Sequence, residues 1–482
     1  MVDKAKEFAN TWIDNNKGWI IELSDRIWEL AELGLVEEKS SQLLANAMEG
    51  HSFKVEMGVA GMPTAFVAAW SDQKPVIGIM GEYDALPGIS QKKEPYKEPL
   101  REGAPGHGCG HNIHGASGVA AAISLRYTLE ELKIPASIRF FGSPAEENYD
   151  GKVYMVRAGH FDGVDACLSH HPGAMNVAGL SSSLANNKAK FHFHGKTAHA
   201  AGSPEQGRSA LDAIELLNIG VNYMREHVID TARIHYVIEK GGGQPNVVPD
   251  YARSWYYIRA PERDQVEHIY EWMLKIAKGA ALMTETKLEV EFISGLSNKI
   301  PNKTLSDVVT ENMREIGPPE YTEEELEFAK RIGETVPKQH KMDSLRKRGV
   351  PNWERYRDID LCRDVLDSWN EGEVGAGSTD VADVSWNTPT MEFSTTATVL
   401  GTPGHSWHFV ATSGMSIGHK SLIFASKVIS GSALDLIQRP ELLTKAKEEL
   451  KRRLGGRTYK PPVPKNHLPP LKVAIEAANT LS

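Results

Sequence analysis

Apolar residues near the start of the chain recur at helical spacing: Trp19, Ile20, Leu23, Ile27 and Leu30 share one face, and a second helix is expected after Ser40. Short apolar runs at 65–70, 76–80, 137–141 and 166–169 read as buried strands, with a helix of small residues at about 115–132 among them. Strands alternating with helices predict an α/β domain built on a mostly parallel central sheet, in which ligands bind beyond the carboxyl ends of the strands. Chemically capable residues follow these runs: Gly81-Glu82-Tyr83-Asp84, Ser143-Pro144-Ala145-Glu146-Glu147 and His170-His171.

The pattern changes at about 187. Strand 189–194, helix 208–227, strands 233–239 and 252–259, helix 265–281 and strand 287–293 follow in the order β-α-β-β-α-β, a ferredoxin-like split unit. The expected organisation is therefore a first domain over 1–186, an inserted module over 187–296, and the first domain resumed over 297–482. That last part carries a helix near 304–316, an apolar run at 391–399 and a helix at 414–429. Residues 318–377 are charged and poorly periodic, which predicts an excursion or a partly ordered insert. The proline-rich stretch after Arg457 reads as an extended arm.

Composition narrows the function classes. The 482 residues include 54 basic and 63 acidic side chains, a net charge of −9, which disfavours nucleic acid and anionic membrane as partners. No strictly apolar stretch approaches the ~20 residues that span a bilayer, and the polar start Met1-Val2-Asp3-Lys4 has no signal core. Three scattered cysteines (Cys109, Cys167 and Cys362) do not make a disulfide framework. A soluble, cytoplasmic protein is expected.

The strongest chemical signal is Gly106-His107-Gly108-Cys109-Gly110-His111-Asn112-Ile113-His114, at the start of the small-residue helix. Glycines let backbone come close to an ion, and Cys-x-His offers a thiolate and an imidazole. Alone, this is equally a glycine turn with incidental histidines. Glu146-Glu147 alone is most often an exposed acidic turn; buried, the pair needs a cation or a shared proton. With metal, one carboxylate would ligate and the other would accept a proton. His170-His171-Pro172-Gly173 and Gly401-Thr402-Pro403-Gly404-His405 end two further runs. Convergence of four strand ends on Cys, His and Glu favours chemistry. Cys109, His111, Glu147, one of His170 and His171, and His405 supply about enough ligands for two divalent metals roughly 3.5–4 Å apart. Zinc, manganese and cobalt all suit such a set. In the module, His199, Asn246 and Arg259 stand at predicted turns and a strand end, where turn chemistry and solvation are the ordinary explanations. A zinc nucleobase deaminase would need His-x-Glu and Pro-Cys-x-x-Cys, which this chain lacks.

From about Ser24 onward these motifs resemble the metallopeptidases and amidohydrolases that include aminoacylase, glutamate carboxypeptidase and the plant indole-acetyl-amino-acid hydrolases. Cys-Gly-His at 109–111, in place of a bridging aspartate, resembles the amidohydrolase branch. The resemblance implies a metal-dependent exopeptidase-like catalytic domain with two Mn²⁺ or Zn²⁺ ions, and an inserted lid that also dimerises. The implied ligands are Cys109, His111, Glu147, His171 and His405, with Glu146 as general base. His171 is preferred over His170 because it stands just before the proline. His199 would polarise the scissile carbonyl, Asn246 and Arg259 would hold the substrate carboxylate, and Asp84 would orient a ligand. Asp380 matches an acidic residue near the site with no assigned role. Asn112 and Thr379 depart from the branch's usual aspartate and glutamate. The substrate implied is a small N-acyl amino acid, such as an aromatic acyl-glutamate or acyl-aspartate of the p-aminobenzoyl-glutamate kind; indole-acetyl-amino acids are the alternative. A homodimer through the lid is expected. Because the branch includes a heteromeric enzyme, a heteromer with a related subunit or a non-catalytic partner role stays open, though the intact ligand set with Glu146 speaks against the latter.

Overall fold

The computed structural model describes residues 2–480. Its first elements are α1 (Val2–Leu30), α2 (Glu38–Gly50), β1 (Lys54–Met57), β2 (Phe66–Trp70), β3 (Val76–Gly81), α3 (His111–Glu131), β4 (Ser137–Gly142), α4 (Gly151–Arg157), β5 (Ala166–His170) and β6 (Asn176–Val177). Next come β7 (Ala185–His194), α5 (Ala210–Met224), β8 (Arg233–Lys240), β9 (Tyr251–Ala260), α6 (Arg263–Thr284) and β10 (Lys287–Leu296). The remaining elements are α7 (Lys303–Ile316), α8 (Glu323–Gly333), α9 (Lys338–Lys347), β11 (Val365–Leu366), α10 (Val381–Ser385), β12 (Thr390–Phe393), α11 (Trp407–Ser413), α12 (Ser416–Gln438), α13 (Pro440–Leu454) and α14 (Leu471–Asn479).

The larger sheet runs β1-β2-β4-β3-β5-β12. Strands β4, β3, β5 and β12 are mutually parallel, whereas β1–β2 and β2–β4 are antiparallel. The sheet is thus mixed rather than mostly parallel. β1 and β2 are joined by a short turn with no crossover helix, and such a connection permits only antiparallel pairing. Helix α3 is buried along nearly its whole length among α1, α12 and the sheet. Its small residues make that possible: a Cβ at Gly115 would stand 2.7 Å from the carbonyl oxygen of Glu82. This close approach sets the start of α3 against the carboxyl end of β3.

The second sheet is antiparallel in the order β10-β7-β9-β8, and α5 and α6 pack on it around Phe191, Phe193, Leu217, Tyr256, Ile258 and Met273. β8 is its open edge, where Val237 and Ile238 are exposed.

Three expectations need correction. The 318–377 stretch is folded, not partly ordered. Its Leu345, Val350, Tyr356 and Cys362 pack on Met175 and Val177, and its Ala329 and Ile332 pack with Val399 and Ile417. Its apolar residues are too sparse to show periodicity, but these are buried against the body. The apolar run at 391–399 is a strand only over Thr390–Phe393, because the next residues bond elsewhere: Thr395 Oγ1 meets His170, and Thr396 N–H donates to Asn176. Beyond Arg457 the extended arm gives way to helix α14. Among the described residues no helix is long and apolar enough to cross a membrane.

If the insert belongs to the cooperative unit, Leu345→Ala, at a side chain 2% exposed, should cost about 2–5 kcal/mol in urea unfolding without splitting the transition. A separate early transition carrying the whole loss would show that the insert unfolds on its own.

Candidate functional site

The carboxyl ends of β3, β4, β5 and β12 lie side by side, and the chain leaving each one brings polar residues to a common cleft of about 470 Å³. Cys109, Glu146, Glu147, His171, Arg259 and His405 line it, and His111 starts α3 just behind. The turn into α3 requires glycine. Gly110 has φ +74°, and a Cβ there would strike Phe409 and Pro172.

Second atoms of the donors are tied to the framework, which aims the first atoms inward. His111 Nδ1 donates to Asp84 Oδ1 at 2.8 Å, and Asp84 Oδ2 accepts from the Glu147 N–H at 3.0 Å. His171 Nδ1 donates to the carbonyl of Pro172, leaving Nε2 3.4 Å from Cys109 Sγ. His405 Nε2 lies 3.4 Å from Glu147 Oε2. Donor atoms of Cys109, His111 and His171 fall within 4.8 Å of one another, and so do those of Cys109, Glu147 and His405. Two donor triads therefore share the thiol. A third set, Glu82, His111 and Glu146, meets the same distance. His170 faces away from the cleft: Ser117 Oγ and Thr395 Oγ1 engage its two ring nitrogens. Asn112 is also turned from it, donating to Ser24 Oγ and the Ser413 carbonyl.

The residues present fit a cation. His111 Nε2, Glu82 Oε2 and Glu147 Oε1 are buried with no hydrogen-bond partner. Burial pushes Glu147 up to about 7, with Asp84 and Glu82 adding to the shift against the opposing pull of His111. Burial, Glu82 and Glu147 push Glu146 well above the carboxylate range. Burial and Glu147 raise the Cys109 thiol. Positive charge at this spot would relieve all three.

Three residues that sequence reasoning left without a role support the site. Glu82 is fully buried; burial favours its neutral form, yet His114, Lys152 and His111 outweigh that and hold it below the usual range. Lys152 Nζ donates to Glu82 Oε1 at 2.5 Å and to Asp380 Oδ1 at 2.8 Å, which gives Asp380 its place. Glu37 accepts from the Ala145 N–H and from Thr64 Oγ1, steadying the turn before Glu146; burial pushes it up to about 8. Glu82 stands at a visible strand end, whereas nothing near Glu37 or Lys152 in sequence marks them out.

The module's candidates separate. Arg259 reaches the cleft, and its Nε is buried without a partner. His199 and Asn246 do not line the cleft. Both are exposed on neighbouring loops, where the Ala200 N–H donates to the Asn246 carbonyl and His199 Nδ1 accepts from Ala201 and Gly202. Strand β9 runs from Tyr251 to Ala260, so roughly 26 Å of extended chain separates the Asn246 end from Arg259. One copy of the chain cannot clamp a single small carboxylate with both.

The fold and this cleft are those of a metallopeptidase-type hydrolase, and the similarities to known proteins agree. The chain belongs to peptidase family M20/M25/M40, whose model matches residues 78–342, and it is a hydrolase acting on amide bonds. It is similar to one of the two kinds of subunit of p-aminobenzoyl-glutamate hydrolase from Escherichia coli (strain K12), at 39% identity over 96% of this chain and 99% of that one. It is 29% identical to the Xaa-Arg dipeptidase of Mus musculus, over 90% of this chain and 89% of that one. Two solved structures share its fold. An aminobenzoyl-glutamate utilization protein from Klebsiella pneumoniae has a TM-score of 0.60 at 19% identity, covering 89% of this chain and 98% of that one. A dinuclear metal binding peptidase of the M20 family from Bacillus subtilis has a TM-score of 0.57 at 18% identity, covering 88% and 99%.

Without cations, the folded state keeps protons on Glu147, Glu37 and Glu146 that the unfolded chain has already released. The folded state then binds more protons, so stability falls as pH rises. Below about 6.5 the trend is opposed by His107 and His114, which burial holds neutral while the unfolded chain protonates them. The melting temperature of chelator-treated protein should therefore fall from about pH 6.5 to about pH 8.5, and added Mn²⁺ or Zn²⁺ should raise it most at the upper end. A chelated protein that gains stability across that window would contradict this charge balance.

Proposed function

We propose that the protein is a dinuclear metal-dependent amidohydrolase that cleaves N-acyl amino acids, with an aromatic acyl-glutamate or acyl-aspartate such as p-aminobenzoyl-glutamate as substrate. The observation that carries this reading is the pair of donor triads sharing Cys109 beside Glu146. Full-length similarity to the E. coli hydrolase chain supports the acyl-glutamate choice. Cys109, His111, Glu147, His171 and His405 would hold two divalent cations, Mn²⁺ or Zn²⁺, which would polarise the amide carbonyl and acidify a water. Glu146, whose carboxyl prefers its proton, takes one from the attacking water and passes it to the leaving nitrogen. Asp84 keeps His111 in the tautomer that presents Nε2. Arg259 grips the carboxylate of the amino-acid half by a two-pronged contact.

The organisation proposed is a catalytic domain of 1–186 and 297–482, with 187–296 as a ferredoxin-like lid and dimerisation module. The open edge β8, with Val237 and Ile238 exposed, suits pairing with a second copy or with a related subunit. Across such a pair, His199 and Asn246 of one subunit would serve the other subunit's cleft, His199 donating to the developing oxyanion. The cysteines, all free, suit the reducing cytoplasm.

Base and ligand should fail differently. Glu146→Gln should keep its metal by elemental analysis and lose about 10²–10⁴-fold in kcat against p-aminobenzoyl-glutamate. Glu147→Ala should come out metal-poor. The opposite metal contents would reverse the two roles, and a metal-loaded wild type inactive on all N-acyl amino acids would end the amidohydrolase reading.

Subunit sharing has its own test. Mixing Glu146→Gln with His199→Ala, each inactive alone, should restore roughly one working cleft per mixed dimer. No recovery after verified subunit exchange would confine His199 to its own chain.

A further inference from the structure

The insert does more than fill space. A second chamber of about 650 Å³ opens from the cleft and shares His171 and Lys299 with it. Its outer wall is the end of α9 and the segment before α10, bringing Lys347, Arg348, Trp369 and Glu373. Leu345 and Val350 anchor that wall in the core, and Trp369 Nε1 donates to the Arg348 carbonyl at 2.9 Å, so the backbone carrying Arg348 is held independently of its side chain. Lys347 and Arg348 are exposed to the chamber and form no ion pair among the described residues. Lys299, at the junction, is held only loosely, its Nζ 3.7 Å from Glu392 Oε2. Cations with no committed partner, lining a cavity continuous with the cleft, are suited to an anionic ligand.

We propose that this chamber is a second anion subsite, in which Arg348 and Lys299 bind a carboxylate that the substrate carries in addition to the one facing Arg259. The assignment rests on the amidohydrolase reading above and deepens it to doubly anionic N-acyl amino acids. The extra carboxylate sits either on the side chain of an acidic amino acid or on the acyl group. Guanidinium and ammonium read both alike.

The test is a ratio of kcat/KM values in metal-loaded wild type, Arg348→Met and Lys299→Met. One pair compares p-aminobenzoyl-glutamate with p-aminobenzoyl-glutamine; the other compares 4-carboxybenzoyl-alanine with benzoyl-alanine. Wild type should prefer the extra carboxylate in one pair, and each variant should lose about tenfold or more of that preference. The pair that responds identifies which half carries the charge. Arg348→Lys should recover part of it. Unchanged ratios in both variants overturn the subsite; a lowered melting temperature alone would then assign Lys347 and Arg348 to the helix end, where cations complement the dipole. If wild type cleaves none of these compounds, the amidohydrolase reading fails separately. Calorimetry with N-acetylglutamate then decides the subsite: tenfold weaker binding to Arg348→Met sustains it, and equal or absent binding overturns it.

Discussion

Buried negative charge is the constraint on which the rest of this molecule depends. Glu37, Glu82, Asp84, Glu146, Glu147 and Asp380 crowd the carboxyl edge of one sheet, where water cannot screen them. Carboxylates so placed either keep protons or find cations. Lys152 answers part of the demand from within, bridging Glu82 and Asp380 in full burial. The start of α3 answers another part through the positive end of its dipole, and it stands there because Gly115 lets the helix lie against Glu82. What remains uncompensated, at Glu146 and Glu147, faces the imidazoles and the thiol. The chemistry of the cleft is thus the unmet portion of a charge balance built into the fold.

The same balance requires the donors to be rigid. A loose cluster of acids would relax by turning outward, and this one is prevented from doing so. Asp84 bonds both to His111 and to the backbone of Glu147, so two donors from different elements share one anchor. His114 Nδ1 accepts from the Glu82 N–H, and Glu37 holds the Ala145 N–H. Each of these bonds ends on backbone or on a ring nitrogen not used in the cleft. A site held this way costs little reorganisation when a ligand arrives.

Local patterns make most of this legible in the sequence. Alternating strands and helices show the α/β organisation, and Cys109, His111, Glu146, Glu147, His171 and His405 stand at strand ends where the sheet's geometry gathers them. Long-range and sparse features stay hidden. Glu37 and Lys152 reach the site through tertiary contacts with no local signature. The insert's buried residues are spaced without period, so patterning cannot reveal its order. The doublet His170-His171 is ambiguous in sequence because neighbours on a strand differ only in facing; Ser117 and Thr395 decide it by occupying His170.

The module adds a constraint of a different kind, one of length. Arg259 and Asn246 lie toward opposite ends of a single extended strand, and no rotamer change closes a gap of roughly 26 Å. Arg259 belongs to its own chain's cleft. If Asn246 and His199 act on substrate at all, they must act on substrate held by another chain. The open edge of β8 and its exposed Val237 and Ile238 make a second sheet edge the natural complement. Association is then not an accessory to the fold: it is the step that would finish a cleft whose metal-facing side is already complete in one chain. A related subunit could supply that face as well as an identical one, since the requirement falls on the loops bearing His199 and Asn246 and not on the ligands behind them.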